Sequence, residues 1–206
     1  MTLQISIATS NQAKIQKIIG LLDGLDVEIV AQQQFIDFDE LTDEETQDSH
    51  LAIAVAKACH ASKRIQEITI ATDGGVTIPI LGQQWSSLRT RRNLIAQSSS
   101  HQKAEQLLRM MEQYTGDQRS CYWTEAIAIA RSGILLNAWQ FNGKAGRISI
   151  EYAATESTEQ GFWFDGLWTS CEGVLVSNLS EGAEKNSLDP WQKLRIPVRK
   201  FISGLR

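Results

Sequence analysis

Cysteine and proline are scarce in this chain, with three of each among 206 residues. The cysteines Cys59, Cys121 and Cys171 are odd in number and far apart, and no C-x-x-C pair occurs. We therefore expect reduced thiols rather than disulfides or a zinc centre. The three histidines show no i, i+4 spacing, so they do not indicate a histidine metal site.

Long apolar runs and a net positive charge are also absent. No apolar stretch approaches the roughly 20 residues that a membrane-spanning helix needs, and the N-terminus lacks the basic and then apolar plan of a signal peptide. A net charge of −4 and a pI near 5.4 give no basis for duplex binding through phosphate neutralisation. We therefore expect a cytoplasmic protein that binds neither membranes nor nucleic acid. A nucleotide is still allowed as a ligand, because it needs only a local basic pocket.

The two common nucleotide-binding fingerprints are missing as well. The chain has no G-x-x-x-x-G-K-[ST] loop and no G-x-G-x-x-G turn, so the folds that carry them have no support. What the sequence does contain is ample material for a core, since 42% of its residues are hydrophobic. A chain of this length fits a single domain over residues 1–206, or one elongated unit with two lobes.

The opening stretch predicts a strand, a polar turn and a helix. Ile5 and Ile7 suit a buried strand, and apolar residues from Ile15 onward follow the i, i+3, i+4, i+7 spacing of a helix. Between them stand three residues of N-cap type, Thr9, Ser10 and Asn11. A helix N-terminus with Lys14 in its first turn is suited to phosphate. The alternative is an ordinary strand-helix unit with a solvated lysine.

The next segments predict a strand at 26–31, a helix from Leu51 to Ile65 with a small-residue face, and a strand at 68–71. An acidic run precedes the helix and is typical of a solvated loop or a helix N-terminus. Thr72-Asp73-Gly74-Gly75 then comes at the carboxyl end of the strand, before a second short run at 76–80. Carboxylates there often belong to ligand sites. A turn aspartate that bonds its own backbone is the alternative.

The second half predicts a helix after residues 98–101 and a change to β structure from about residue 120. Two apolar runs, 122–130 and 134–141, are joined by a hairpin signal at 131–133, and a further strand is expected at 144–150. This antiparallel section is a plausible dimer surface. Asp189-Pro190 marks the start of a last helix, which Pro197 should kink or split.

Several of these segments resemble, in the same order, the motifs of the Ham1-type inosine triphosphate pyrophosphatases. T-G-N-x-x-K is matched by Thr9, Asn11 and Lys14, with Ser10 in place of glycine. E-T-G is matched at Glu45-Thr46, and the following E-N-A-x-x-K-A has Ala52-Ile53 in place of its first two residues. A-D-D-S-G-L is matched by Asp73 at its second aspartate, while Thr72 replaces the first.

The later motifs match in part. L-G-G-x-P-G-x-Y-S-A-R keeps Arg91, which lies in a basic cluster that is either a solvated turn or a triphosphate contact. G-F-G-Y-D-P-x-F keeps Phe162 and Asp165 and gains Trp163, although an aromatic cluster of this kind is commonly core. E-K-x-x-x-S-H-R keeps Lys185. Its Ser-His-Arg, which reads a 6-oxopurine, is replaced here, so that base preference cannot be assumed.

The resemblance implies a fold and a set of roles. The fold is α/β, with an elongated central mixed β-sheet flanked by helices and two lobes with a cleft between them. The activity is Mg²⁺-dependent hydrolysis of standard or modified nucleoside triphosphates to monophosphate and pyrophosphate, by a homodimer. Asp73 and Lys14 would be catalytic, and Glu45 and Asp73 would bind the metal. The substrate contacts would be Thr9, Ser10, Asn11, Lys14, Arg91, Phe162, Trp163, Asp165 and Lys185. The alternative is a catalytically silent nucleotide-binding or interaction protein that retains the fold.

Overall fold

A computed structural model describes residues 2–31, 47–90, 93–94, 98–159 and 161–205 of the chain. The helices are α1 (Gln12–Leu22), α2 (His50–Ile65), α3 (Ser100–Met110), α4 (Glu156–Glu159), α5 (Ala183–Leu188) and α6 (Pro190–Ser203). The strands are β1 (Leu3–Ala8), β2 (Val27–Ala31), β3 (Ile68–Thr77), β4 (Ser120–Arg131), β5 (Ile134–Asn142), β6 (Gly146–Ile148) and β7 (Trp168–Thr169). Among the helices described, none is long and apolar enough to cross a membrane.

The seven strands form one mixed sheet in the order β2-β1-β3-β4-β6-β7, with β5 paired to β4. Strand β1 runs parallel to β2 and β3, whereas β6 runs antiparallel to β4 and β7. The predicted α/β fold with a mixed sheet is therefore confirmed. Ala8 pairs with Ala71, so the turn that follows β1 lies level with Thr72 and Asp73 on β3.

Contacts divide the chain into two compact units, each assembled from separate segments. The first unit comprises Met1–Gly74, Glu125–Phe141 and Trp191–Arg206, and the second comprises Gly75–Thr124 and Asn142–Pro190.

The first unit packs a different kind of side chain on each face of its strands. Isoleucines such as Ile70 and Ile127 share a buried cluster with residues of α1 and α6. Alanines such as Ala71 and Ala126 share another with Ala54 and neighbouring residues of α2. Because successive strand residues point to opposite faces, the alternation of isoleucine and alanine assigns the two faces to different helices. The small-residue face predicted for α2 is the one that packs on the sheet.

The second unit has a core of its own that is rich in aromatic residues. Phe164 and Trp168 pack with Leu107 and Met111 of the α3 segment. Buried Arg119 donates hydrogen bonds to the carbonyl oxygens of Met111 and Ile148, each at 2.8 Å, among others. A buried guanidinium is costly unless its donors are satisfied, and here backbone carbonyls satisfy them.

The local signals for helix starts and for the hairpin are confirmed. Asn11 caps α1, Ser49 caps α2, and Ser99 forms a capping box with Gln102 at the start of α3. The loop between β4 and β5 has positive φ at Ser132 and Gly133, at 51° and 83°. Two successive positive φ values are typical of a type I′ hairpin turn.

The expected end of β3 is wrong, and so is a split of the last helix at Pro197, one of the two outcomes expected there. Strand β3 continues to Thr77, so Thr72-Asp73-Gly74-Gly75 lies inside the strand rather than in a turn at its end. Glycine at position 75 allows a close tertiary contact, because a Cβ there would lie 2.1 Å from the carbonyl oxygen of Ser87. Pro197 lies inside a single continuous helix α6, so it does not split that segment into two pieces.

Candidate active site

The turn between β1 and α1 is held by its own side chains. Asn11 Oδ1 accepts hydrogen bonds from the backbone N–H of Ala13 at 3.0 Å and of Lys14 at 3.3 Å. Thr9 Oγ1 accepts from the Asn11 N–H at 3.2 Å, and Ser10 between them is exposed. Asn11 thus caps two of the first-turn N–H groups that the sequence had suggested for phosphate. The positive charge of this turn comes from the Lys14 ammonium.

Lys14 reaches a buried carboxylate that lies 111 residues away in the sequence. Its Nζ lies 3.1 Å from Oε1 of Glu125, a residue of β4 that is completely buried. The Thr72 hydroxyl contacts the same Oε1 and also lies 2.8 Å from the Ala126 carbonyl oxygen. Glu125 therefore joins the first turn of α1 to strand β3, on the face of the sheet that carries α1.

Asp73 lies on the opposite face and pairs with two residues of α2. Its Oδ2 lies 2.6 Å from His50 Nδ1, and its Oδ1 lies 3.2 Å from Lys57 Nζ. His50 and Lys57 are seven positions apart and so lie on one face of the helix. Since α2 packs on the sheet through small residues, both side chains can reach the strand carboxylate.

The pKa of the Asp73 carboxyl reflects two opposing influences. Burial by itself would raise the pKa, because it disfavours the charged form. The hydrogen bond from His50 and the positive charges of Lys14, Lys57 and His50 outweigh burial and hold the pKa below its ordinary value. Asp73 is therefore an anion at neutral pH, and the charge of Lys14 acts on it from the neighbouring turn.

The far side of the His50 ring is less well satisfied. His50 is 4% exposed, and its Nε2 is buried without a hydrogen-bond partner among the residues that the structure describes. Nδ1 faces Asp73, so Nε2 is the ring nitrogen left for a second partner. A water or a polar group of a ligand is the kind of partner that would satisfy it.

The first unit thus brings together two of the predicted site residues, Lys14 and Asp73. Thr9, Ser10 and Asn11 form the turn next to Lys14, which Asn11 shapes by capping α1 and Thr9 by its bond to the Asn11 N–H. Glu45, the other predicted metal ligand, and Arg91, a predicted substrate contact, lie outside the described residues.

The remaining predicted substrate contacts lie in the second unit. Trp163 is buried in the aromatic core and stacks edge to face on Phe164, with ring centroids 5.6 Å apart. Phe162 and Asp165 are partly exposed beside it. Lys185 on α5 pairs with Glu181, with 3.0 Å between Nζ and Oε1. The burial of Trp163 fits the core alternative, and contact of these residues with a nucleoside remains a prediction.

Sequence reasoning missed two titratable members of the cluster, His50 and Glu125, and gave no role to Lys57, the lysine of the matched E-N-A-x-x-K-A stretch. The signal for Glu125 was a lone carboxylate ahead of the apolar run AIAIA, where a charge needs a buried partner. The signal for His50 and Lys57 was their seven-residue spacing on a helix whose other residues on that face are small. Neither signal names the partner, because the partners are distant in the sequence.

The donor set suits a hard cation only in part. In the ranges the structure describes, no group of three or more His, Cys, Asp or Glu side chains could hold a metal ion. Mg²⁺, however, is commonly held by one or two carboxylates together with substrate phosphates. Asp73 is a partly buried carboxylate that fits this pattern, although both of its oxygens now face nitrogen donors of His50 and Lys57.

Comparison with known proteins places the chain in a family. The sequence profile described as Ham1 family matches residues 5–193. The chain belongs to the Ham1 family. A dITP/XTP pyrophosphatase of Photobacterium profundum is 30% identical over 206 residues, which covers 97% of this chain and 96% of that protein. A dITP/XTP pyrophosphatase of Vibrio vulnificus is 29% identical over 186 residues, which covers 90% and 89% of the two chains.

Solved structures of Ham1 proteins share the fold. A HAM1 protein from Coxiella burnetii superposes with a TM-score of 0.74 at 21% identity, covering 98% of both chains. The Ham1 protein of Staphylococcus aureus gives a TM-score of 0.72 at 20% identity, covering 98% of this chain and all of that one. The predicted membership and fold are therefore both confirmed.

Proposed function

We propose that this Ham1 family member is a nucleoside triphosphate pyrophosphatase that releases pyrophosphate and leaves the nucleoside monophosphate. The observation that carries the proposal is the cluster of Lys14 and Asp73 in the first unit, where the helix that follows β1 supplies a cation and the neighbouring strand β3 supplies an ionised carboxylate. Relatives that are 29% and 30% identical are named dITP/XTP pyrophosphatases, which favours a modified purine nucleotide as substrate.

The residues of the cluster have distinct roles in this reaction. Lys14 offers a positive charge and N–H donors to the phosphates, in a turn that Thr9 and Asn11 hold in shape. Asp73 is ionised and partly exposed, so it can accept a proton from, or orient, the water that attacks phosphorus. His50 and Lys57 fix the two oxygens of Asp73 in direction. Phe162, Trp163, Asp165 and Lys185 are proposed to face the nucleoside, and Arg91 the phosphates.

Mg²⁺ is the cofactor that we propose for this site, held by Asp73 and Glu45 together with substrate phosphates. When bound, it would offset the charge of the triphosphate. Each Asp73 oxygen faces one nitrogen donor and has a second lone pair, so the carboxylate could bind the metal while it keeps its contacts with His50 and Lys57. Loss of turnover in EDTA, restored by Mg²⁺, is the expected result.

The proposal extends to assembly and location. We propose a cytoplasmic homodimer, in keeping with the resemblance on which the activity rests. Light scattering during gel filtration measures the mass of the particle directly. A mass of one chain, at 23.0 kDa, would rule out the dimer without affecting the proposed activity.

The first experiment measures pyrophosphate release, with Mg²⁺, from a panel of standard and modified nucleoside triphosphates. We expect turnover of a modified purine triphosphate, and we expect Asp73→Asn to reduce it by about a hundredfold or more. Asp23→Asn, which removes an exposed carboxylate at the end of α1, is the matched control and should leave turnover unchanged. Turnover that survives in Asp73→Asn would contradict the role given to Asp73.

A second candidate is a catalytically silent nucleotide-binding or interaction protein. The pairing of both Asp73 oxygens with His50 and Lys57 favours it, because a carboxylate engaged in this way is less available to a metal or to water. Absence of pyrophosphate release from every triphosphate, in a folded sample that binds nucleotide, would select this candidate.

A further inference from the structure

Glu125 is the most deeply buried charged residue of the cluster, and the reaction proposed above gives it no direct role. It is fully buried on β4 and continues the row of Ile127 and Ile129, which are packed against α1 and α6. A carboxylate in such a row is expensive to bury. Apolar residues of similar size often replace buried ion pairs without loss of stability, so stability alone is a weak reason for its presence.

Glu125 contacts the first turn of α1 and strand β3, next to the proposed site residues Lys14 and Asp73. Its Oε1 lies 3.1 Å from Lys14 Nζ and also contacts the hydroxyl of Thr72, the residue before Asp73. The Lys14 backbone N–H is bonded to Asn11, so the lysine is fixed at both ends of its long side chain. An ammonium carries three N–H donors, and Glu125 Oε1 is the side-chain acceptor that it meets in the described residues. Within the part of the chain that the structure describes, two of its donors are left for another group.

We propose that Glu125 is a positioning residue of this site, which holds the Lys14 ammonium in place so that its two remaining N–H donors meet a polyphosphate ligand. Lysine has a flexible stem of four carbons, and ordering it before the ligand arrives lowers the entropy cost of binding. The identity of the ligand rests on the proposed function, whereas the pairing of Glu125 with Lys14 does not.

The sign of the effect separates positioning from simple charge. Glu125 is negative and lies close to the site, so through-space repulsion alone would make Glu125→Gln bind an anion more tightly. If Glu125 instead orders Lys14, Glu125→Gln binds the anion more weakly. Inorganic tripolyphosphate is the probe, because it presents phosphates without a base and needs no turnover.

Calorimetry should show that Glu125→Gln raises the Kd for tripolyphosphate by roughly tenfold, because the neutral amide oxygen that remains holds the Lys14 ammonium less firmly than a carboxylate does. Glu28→Gln removes an exposed carboxylate from β2 in the same unit and should leave the Kd unchanged. In a double-mutant cycle, adding Glu125→Gln to Lys14→Met should cause no further loss, since Glu125 acts through Lys14. This double variant also removes both charges, which protects the fold if the single variant is unstable.

Tripolyphosphate binding lost in Glu125→Gln should be rescued by a carboxylate placed at the neighbouring position 72. Thr72 Oγ1 and Glu125 Oε1 are in contact, so aspartate at position 72 would place a carboxylate close to the one that Glu125→Gln removes. The Thr72→Asp, Glu125→Gln double variant should regain binding to within about threefold of the original. If the protein turns over a triphosphate, the same order should appear in kcat/KM.

Unchanged or tighter tripolyphosphate binding by a folded Glu125→Gln protein would overturn the inference, and so would failure of the rescue. Failure of the proposed function has a different signature, namely no turnover of any triphosphate by a protein whose binding of tripolyphosphate still depends on Glu125.

Discussion

At the scale of single residues, Asp73 depends on partners that come from one helix. Lys57 Nζ lies 3.2 Å from Oδ1, and both side chains are mostly buried. Lys57→Met leaves the carboxylate with one donor fewer, so we expect a loss of about 1–3 kcal/mol in the free energy of unfolding. Urea denaturation measures it. Lys63→Met, at an exposed position on the same helix, should cost less than about 1 kcal/mol.

A double-mutant cycle tests whether Lys57 acts through Asp73. The combined Asp73→Asn, Lys57→Met protein should lose less stability than the sum of the two single variants, because the second change no longer exposes an unpaired charge. If the losses of stability in the two single variants simply add in the double variant, the ion pair between Lys57 and Asp73 contributes nothing to stability.

Cys121 makes stability depend on alkaline pH. The thiol is completely buried, and burial raises its pKa above the ordinary value of 9.0. As the pH rises past that value the unfolded chain loses its Cys121 proton while the folded protein keeps it, so stability falls. Between about pH 8.5 and 10, the free energy of unfolding should fall more steeply for the wild type than for Cys121→Ala, by up to about 1.4 kcal/mol per pH unit.

The control for this comparison is Cys171→Ala, because Cys171 is exposed. Its pH dependence should parallel that of the wild type. Cys121→Ala will also have a constant offset from the smaller side chain, so the slopes are what is compared. Equal slopes for all three proteins would contradict the assignment to Cys121.

At the scale of elements, β3 shows where sequence patterns work and where they fail. Helix starts and the hairpin were predictable because their signals are local, such as the cap at Asn11 and the turn at 131–133. The end of β3 was not, because Gly75 was placed after the end of the strand, whereas it lies within β3 and its small size serves a contact with Ser87, twelve positions away. The Lys14 and Glu125 pair was hidden for the same reason, since 111 residues separate its members.

Two glycine substitutions test this reading of β3. Gly75→Ala would place a Cβ 2.1 Å from the Ser87 carbonyl oxygen, so backbone has to move, and we expect a loss of about 2 kcal/mol or more. Gly20→Ala lies in α1 with no atom within 4 Å of the added Cβ. It should stabilise by about 0.5–1 kcal/mol, because alanine is the better helix former. A stable Gly75→Ala protein would show that the strand tolerates a side chain there.

At the scale of the whole molecule, neither compact unit is a continuous piece of sequence. The first is built from three segments and the second from two, so each core joins residues that are far apart along the chain. The motifs of the Ham1 family occur in order along the sequence, even though the segments that carry them fold into two units. Family membership and fold could therefore be predicted from the sequence, whereas individual side-chain contacts could not. The residues that pair with Lys14 and Asp73 emerged only from tertiary structure.

Ligand binding should raise the stability of the folded molecule as a whole, since a ligand that binds only the folded state adds its binding energy to folding. Asp73→Asn is the useful protein, because it should bind a triphosphate without consuming it. At a hundredfold excess over Kd the gain is about 2.7 kcal/mol, which for a chain of this size corresponds to roughly 5–10 °C in Tm. The same addition to Asp73→Asn carrying Lys14→Met should shift the Tm far less, because the phosphates lose their cation. Equal shifts in the two proteins would place the phosphates away from Lys14.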